Sequence, residues 1–201
     1  MTPVERQLTP PGGWRSSATP RIAPLSIERF GWPMRPLLRA AGKWAKKRTG
    51  SERLPDIFLV LMRHPVLFRG WLYFASRLLP YGTLSRKDSE LCILRVGWST
   101  RCRYEWGQHV AIGLREGLSA EEIARVAKGP DAAGWSEPQS ALIAACDDLL
   151  RERSISDATW ARLSAHYRDK QLIEIGMLIG HYEMLAGVIN SLGIALEPEA
   201  E

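Results

Sequence analysis

The sequence predicts an all-α protein, and three features carry that prediction. From Leu54 onward, apolar residues recur at steps of three and four, the spacing of one helix face. Segment starts carry Ser or Asp, several with Glu, Gln or Asp three positions later, the signature of a capped helix start. The connections between segments are two to eight residues long, and none shows the alternating pattern of a strand. With 201 residues, 45% of them hydrophobic, the chain has material for one packed domain plus an extension.

Charge divides the chain the same way. Residues 1–50 hold ten Lys/Arg against Glu5 and Glu28, a local charge of +8, whereas residues 51–201 sum to −3. We therefore expect a basic N-terminal extension over 1–50, partly disordered with one short helix, and an all-α domain over 51–201. The first 24 residues, rich in Pro, Gly, Ser and Thr, read as disordered or draped over a neighbour. Residues 34–48 place Leu37, Leu38, Ala41, Trp44 and Ala45 on one helical face, with Arg and Lys around the rest. Such a segment either docks by its apolar stripe with a solvated basic back, or touches anionic lipid or nucleic acid. The short stripe and the lack of interleaved aromatics favour docking. The slightly acidic main domain argues against a domain-wide nucleic-acid surface. Three cysteines with no paired spacing fit a reducing compartment, and no apolar run has signal-peptide or membrane-spanning length, so the cytoplasm is expected.

Taken in order, residues 54–79 predict two helices broken at His64-Pro65, because proline disfavours helix at the residue before it. His64 reads as a cap, and Pro80-Tyr81-Gly82 as a turn. Ser85, with Asp88 three residues on, opens a helix that buries Leu91, Ile93, Leu94 and Val96 and fades at Gly97. Ser99 or Thr100 then caps a helix from Arg101 to Glu116, which Gly117 ends. Ser119 with Glu122, and Ser136 with Gln139, start two more, Ser156 or Asp157 a third, and Asp169 caps a long last helix. Gly176, Gly180 and Gly187 in that helix suggest close approach of another helix, within the subunit or from a second one.

The chemistry concentrates between Leu84 and Ser119. Positions 102, 105, 106 and 109 share one helical face. Cys102, in a first turn beside Arg101 and Arg103, is placed where a helix dipole favours thiolate, while Glu105 opposes it. His109, one turn beyond Glu105, can pair with it and shuttle protons near neutral pH. Glu90 reaches the same place only if two helices fold back on each other. No metal site is expected, since no second His lies at ligand spacing. His166 and His181 read as structural.

The run Leu84-Ser-x-x-Asp-x-Glu90, Leu94-Arg95-Val96, Cys102-x-Tyr-Glu105-Trp106-x-x-His109 and Gly117-Leu-Ser-x-Glu-Glu-Ile resembles the carboxymuconolactone decarboxylase family, which includes the alkylhydroperoxidase D proteins. The resemblance covers roughly residues 55–195. It implies an alkylhydroperoxidase D-like helical bundle, assembled as a homo-oligomer, trimer or hexamer. In the peroxidase branch a Glu, a pair of cysteines and a His act together; this sequence keeps Glu90, Cys102 and His109 but has Glu105 at the second cysteine. A disulfide cycle needs a resolving thiol. The resemblance thus implies cofactor-free acid–base chemistry on a small oxidised organic acid, by decarboxylation or a lactone or isomerisation step. His109 would move the proton, with Glu90 and Glu105 orienting it. Arg95 or Arg101 would hold a substrate carboxylate, and Tyr104 and Trp106 would line the pocket. The alternatives are thiol-dependent peroxide reduction through Cys102 alone, and a non-catalytic oligomer that binds a small ligand.

Overall fold

The computed structural model describes residues 8–15, 17, 19–26 and 54–197. The predicted basic helix over 34–48 lies outside the described residues. Among them the chain forms eight helices and no strand beyond an isolated bridge between Arg15 and Cys102. These are α1 (Asp56–Leu61), α2 (Pro65–Leu78), α3 (Arg86–Ser99), α4 (Arg103–Arg115), α5 (Ala120–Lys128), α6 (Glu137–Glu152), α7 (Asp157–Ser164) and α8 (Asp169–Leu192).

The helix boundaries follow local chemistry. His64 caps α2 by accepting from Leu67 N–H at 3.3 Å, with Pro65 in the first turn where its missing N–H does no harm. Ser85 accepts from Asp88 N–H at 3.0 Å, and Ser119 and Glu122 form the full reciprocal box. Three expected boundaries move. The α3 helix continues past Gly97 to Ser99, because Gly97 is buried against the next helix and not at an exposed end. The following helix starts at Arg103 with Cys102 as its N-cap, because Arg101 adopts a left-handed backbone (φ 57°) that breaks the helix before it. Arg168 rather than Asp169 caps α8, its N–H held by the Gln171 side chain at 3.2 Å.

At the centre lies α3, packed against α4, α5, α6 and α8. Nine of its residues are buried, including Ser89 and Glu90, so polar groups on it need internal partners. One core cluster joins α3, α6, α7 and α8 through Ile93, Leu142, Leu163 and Ile175. A second joins α1, α4 and α8 to the C-terminal tail through Val60, Tyr104, Ile189 and Leu196. A third joins α3, α4 and α5 through Leu94, Trp106, Val110 and Ile123. Part of the N-terminal extension closes this third cluster. Trp14 packs against Trp98 and Trp106 at ring distances of 5.6 and 5.7 Å, and Arg15 N–H donates to Arg101 O at 2.8 Å.

Among the described residues, α8 and α2 each leave apolar side chains exposed. Ile173, Met177, Gly180, Met184 and Gly187 follow one another at steps of four and three along the outer face of α8. Outside the helix's own backbone, no atom of the described residues would meet a Cβ at Gly176, Gly180 or Gly187 within 4 Å, so among the described residues these glycines serve no close approach. By length and composition alone α8 could cross a membrane, but 56% of that window is buried in the fold. The α2 helix exposes Val66, Leu67, Leu72 and Tyr73.

One glycine governs the α3–α4 approach. A Cβ at Gly97 would lie 3.3 Å from Trp106 N, backbone that has little room to retreat. Gly97→Val is expected to cost about 1–3 kcal/mol by overpacking, measured by urea unfolding. Gly70→Ala, where nothing lies within 4 Å, should instead be neutral or stabilising by up to about 1 kcal/mol.

Candidate active site

Glu90 is fully buried in the middle of α3, and an uncompensated carboxylate there would be strongly disfavoured. Two neighbours compensate it. Its Oε2 lies 2.6 Å from Nδ1 of His109 on α4, and its Oε1 accepts from Nη2 of Arg86, one turn earlier on α3, at 3.1 Å. The α3–α4 corner makes the meeting possible: the left-handed Arg101 reverses the chain, Cys102 N–H donates to Gly97 O at 2.8 Å, and α4 runs back along α3. The folding back that Glu90 requires is thus present.

The pair opens on a cavity of about 320 Å³ walled by α1, α2, α3, α4 and α8. Its walls are mostly apolar, with Phe58, Leu72, Leu185 and Ile189 among the lining residues. Tyr182 of α8 stands edge-on to His109 at 5.2 Å and edge-on to His181 at the same distance. His181 in turn stacks on Trp71 of α2, 6.1 Å away, and meets the edge of Phe74 at 5.3 Å. Burial pushes His181 down to about 4, so its imidazole is neutral near pH 7.

The predicted site residues separate into two groups. Glu90, His109, Glu105 and Tyr104 line the cavity. Glu105 does so without pairing with His109, whose Nδ1 meets Glu90. Neither Glu105 oxygen has a hydrogen-bond partner among the described residues, and burial holds its carboxyl well above the usual range, favouring the protonated form. Tyr104 is fixed in the wall, its hydroxyl donating to Glu197 Oε1 at 2.8 Å and accepting from Ile57 N–H at 3.4 Å.

Cys102, Trp106, Arg95 and Arg101 lie elsewhere. Cys102 is fully buried among Ile57, Leu185, Ile194 and their neighbours, and does not line the cavity. Burial first, and the nearby Glu105 second, raise its thiol well above the ordinary value. This reverses the expectation of a stabilised thiolate, since desolvation outweighs the helix start. Trp106 packs into the tryptophan cluster with Trp14 and Trp98. Arg95 makes a two-pronged bond to Asp147 of α6, 2.7 Å on each arm, and donates to Val126 O at 2.8 Å. Arg101 reaches Gly12 O at 3.0 Å and holds the N-terminal segment. The guanidinium at the cavity is Arg86, which sequence reasoning passed over although its four-residue spacing to Glu90 was legible. Trp71, Gln108, His181 and Tyr182 were also missed. The polar His181-Tyr182 pair inside an otherwise apolar helix was the available signal. Among the described residues no group of three His, Cys, Asp or Glu could hold a metal ion.

Residues 65–148 match the profile of the Carboxymuconolactone decarboxylase family. No curated protein sequence matches the chain. Among solved structures, the debrominase Bmp8 superposes with a TM-score of 0.74 at 14% identity, covering 92% of this chain and 96% of its own. A cysteine-to-alanine variant of the same debrominase, solved in complex with 2,3,4-tribromopyrrole, superposes with a TM-score of 0.73 at 14% identity, over 92% of this chain and 95% of its own. A peroxidase-related protein from Ralstonia eutropha JMP134, described as an alkylhydroperoxidase AhpD core, gives 0.72 at 18% identity, again over 92% and 96%. The segment 65–148 thus resembles the Carboxymuconolactone decarboxylase family, and the described chain shares its fold with an alkylhydroperoxidase AhpD core.

Proposed function

We propose that the protein is a cofactor-free enzyme that moves protons at a carbon beside a carbonyl. The step would be decarboxylation, as the family name suggests, or a related lactone or isomerisation reaction. The observation that carries this reading is the 2.6 Å contact between Glu90 and His109 at the wall of a largely apolar cavity. A carboxylate at Nδ1 keeps the proton on that nitrogen and leaves Nε2 with its lone pair, so His109 is set as the base. Glu105 supplies the complementary group. As a neutral acid one helical turn away, it can donate to the carbonyl oxygen as negative charge develops there. Removing the proton sends its electron pair into the carbonyl, and return of a proton to another carbon completes an isomerisation. Loss of CO2 would generate the same enolate, with protonated His109 delivering hydrogen to carbon. The debrominase complex with a halogenated pyrrole supports a small ring compound as the ligand of this fold.

Peroxide reduction through Cys102 is the weaker reading. A thiol nucleophile needs access and thiolate character, and Cys102 has neither. The family likeness also implies a homo-oligomer, and we assign the contact to the outer stripe of α8.

Three measurements test these points. Small lactones and cyclic enones incubated in D2O should show enzyme-dependent exchange of carbon-bound hydrogen by NMR. His109→Ala should slow it by about 10²–10⁴-fold, and Cys102→Ser should leave it unchanged. No exchange above buffer, or exchange that survives His109→Ala, rejects the acid–base reading; loss of turnover in Cys102→Ser alone would restore the thiol. Glu105 keeps its proton in the fold, whereas the unfolded chain releases it above about pH 4.3. Its contribution therefore falls as pH rises beyond that value, up to the folded pKa. The stability of Glu105→Gln relative to wild type should accordingly grow as pH rises above about 4.3, as read by thermal melts. Finally, Met177→Glu on the α8 stripe should lower the mass seen by light scattering; an unchanged mass moves the contact elsewhere.

A further inference from the structure

Besides the Glu90–His109 pair, the cavity collects polar atoms that satisfy nothing. Trp71 Nε1, Arg86 Nη1, His181 Nδ1 and both oxygens of Glu105 are buried, and none has a hydrogen-bond partner among the described residues. They come from α2, α3, α8 and α4, and all four residues line this one cavity. Orphaned groups of this kind are rare in folded proteins, and convergence of several on one space marks a ligand surface.

The charges say which ligand. Arg86 is the cation at the cavity, and its positive charge is already matched, with Glu90 at 3.1 Å and Glu116 at 3.7 Å. Glu105 and His181 are both held toward their neutral forms by burial. An incoming carboxylate would meet the field of Glu90 with no unmatched cation to receive it among the described residues. Its desolvation would go uncompensated in walls formed by Phe58, Leu72, Leu185 and Ile189. Trp71 and Arg86 can only donate hydrogen bonds, protonated Glu105 has a hydrogen to donate, and neutral His181 donates from Nδ1 in one tautomer.

We propose that the cavity binds an uncharged one- or two-ring carbonyl compound, a lactone or cyclic enone, and that Trp71 Nε1 and His181 Nδ1 form a second polar subsite for one of its acceptor oxygens. The other acceptor lies toward Arg86 Nη1 and Glu105, beside the Glu90–His109 pair. Two adjacent aromatic rings, 6.1 Å apart and nearly parallel, give the second subsite a fixed direction. This inference rests on the acid–base reading for where the reacting carbon lies, and not for whether the ligand binds. It replaces the carboxylate clamp expected from sequence with recognition of neutral acceptors, and so selects the lactone or isomerisation step over decarboxylation.

The test is isothermal titration of the full chain near neutral pH with three matched probes: coumarin, coumarin-3-carboxylate and 2H-chromene, which lacks the carbonyl. Coumarin should bind more tightly than either of the others by about tenfold, the worth of one well-made hydrogen bond or of one avoided charge mismatch. Trp71→Phe and His181→Phe keep the volume and remove the donor; each should weaken coumarin by about three- to tenfold and leave 2H-chromene unchanged. His109→Ala should retain coumarin binding even where it abolishes proton exchange, so failure of the catalytic reading and failure of this one are told apart. The proposal is overturned if the carboxylate binds as tightly as coumarin, if 2H-chromene does, if the two folded variants bind coumarin like wild type, or if coumarin shows no saturable binding in the low millimolar range.

Discussion

A carboxylate with no exposure at all, in the middle of the most enclosed helix, sets the terms for the rest of the molecule. Burying Glu90 is tolerable only because His109 and Arg86 complete its bonding, and both must be delivered with little freedom. Arg86 comes from the same helix at no topological expense. His109 comes from the next helix, so the chain has to reverse within three residues of α3 and run back along it. The left-handed Arg101, the tight contact at Gly97 and the strap of the Trp14 segment over Trp98 and Trp106 all serve that reversal. The corner is therefore the element on which the burial of Glu90 depends.

Two carboxyl groups line the cavity with His109, and the fold treats them oppositely. Glu90 is embedded in partners, whereas Glu105 has the same degree of burial and none among the described residues. Burial without a partner holds the Glu105 carboxyl well above the usual range. At position 105 the sequence differs from the cysteine pair of the peroxidase branch that it resembles. The remaining thiol at Cys102 lies behind α1, α8 and the C-terminal tail, where desolvation keeps it protonated.

Helix number, order and most starts could be read from periodicity and capping residues, because those signals are local. The Glu90–His109 partnership was also legible, through spacing and family likeness, although its geometry depended on a corner that no local pattern announces. The arginines were assigned less well. Arg95 follows Glu90 by five residues, which turns it roughly 140° around the helix, away from the cavity and toward Asp147. Arg86, at a spacing of four, shares the face of Glu90 and reaches it. Helical phase would have separated the two. Trp71 and His181 were beyond reach for another reason: they meet only through the packing of α2 on α8, more than a hundred residues apart in sequence.

Glu197 gives the C-terminal tail an importance its irregular backbone conceals. Its two oxygens gather Asp56 N–H at 2.6 Å, the Tyr104 hydroxyl at 2.8 Å and the Gln108 amide at 2.6 Å. Two of those groups sit on α4 and one opens α1, so a single side chain laces together two walls of the cavity from outside. Trimming the tail back through Glu197 would leave the α3-centred core intact and slacken the cavity alone. Such a shortened chain would look folded by every global measure while its binding chamber had lost its shape.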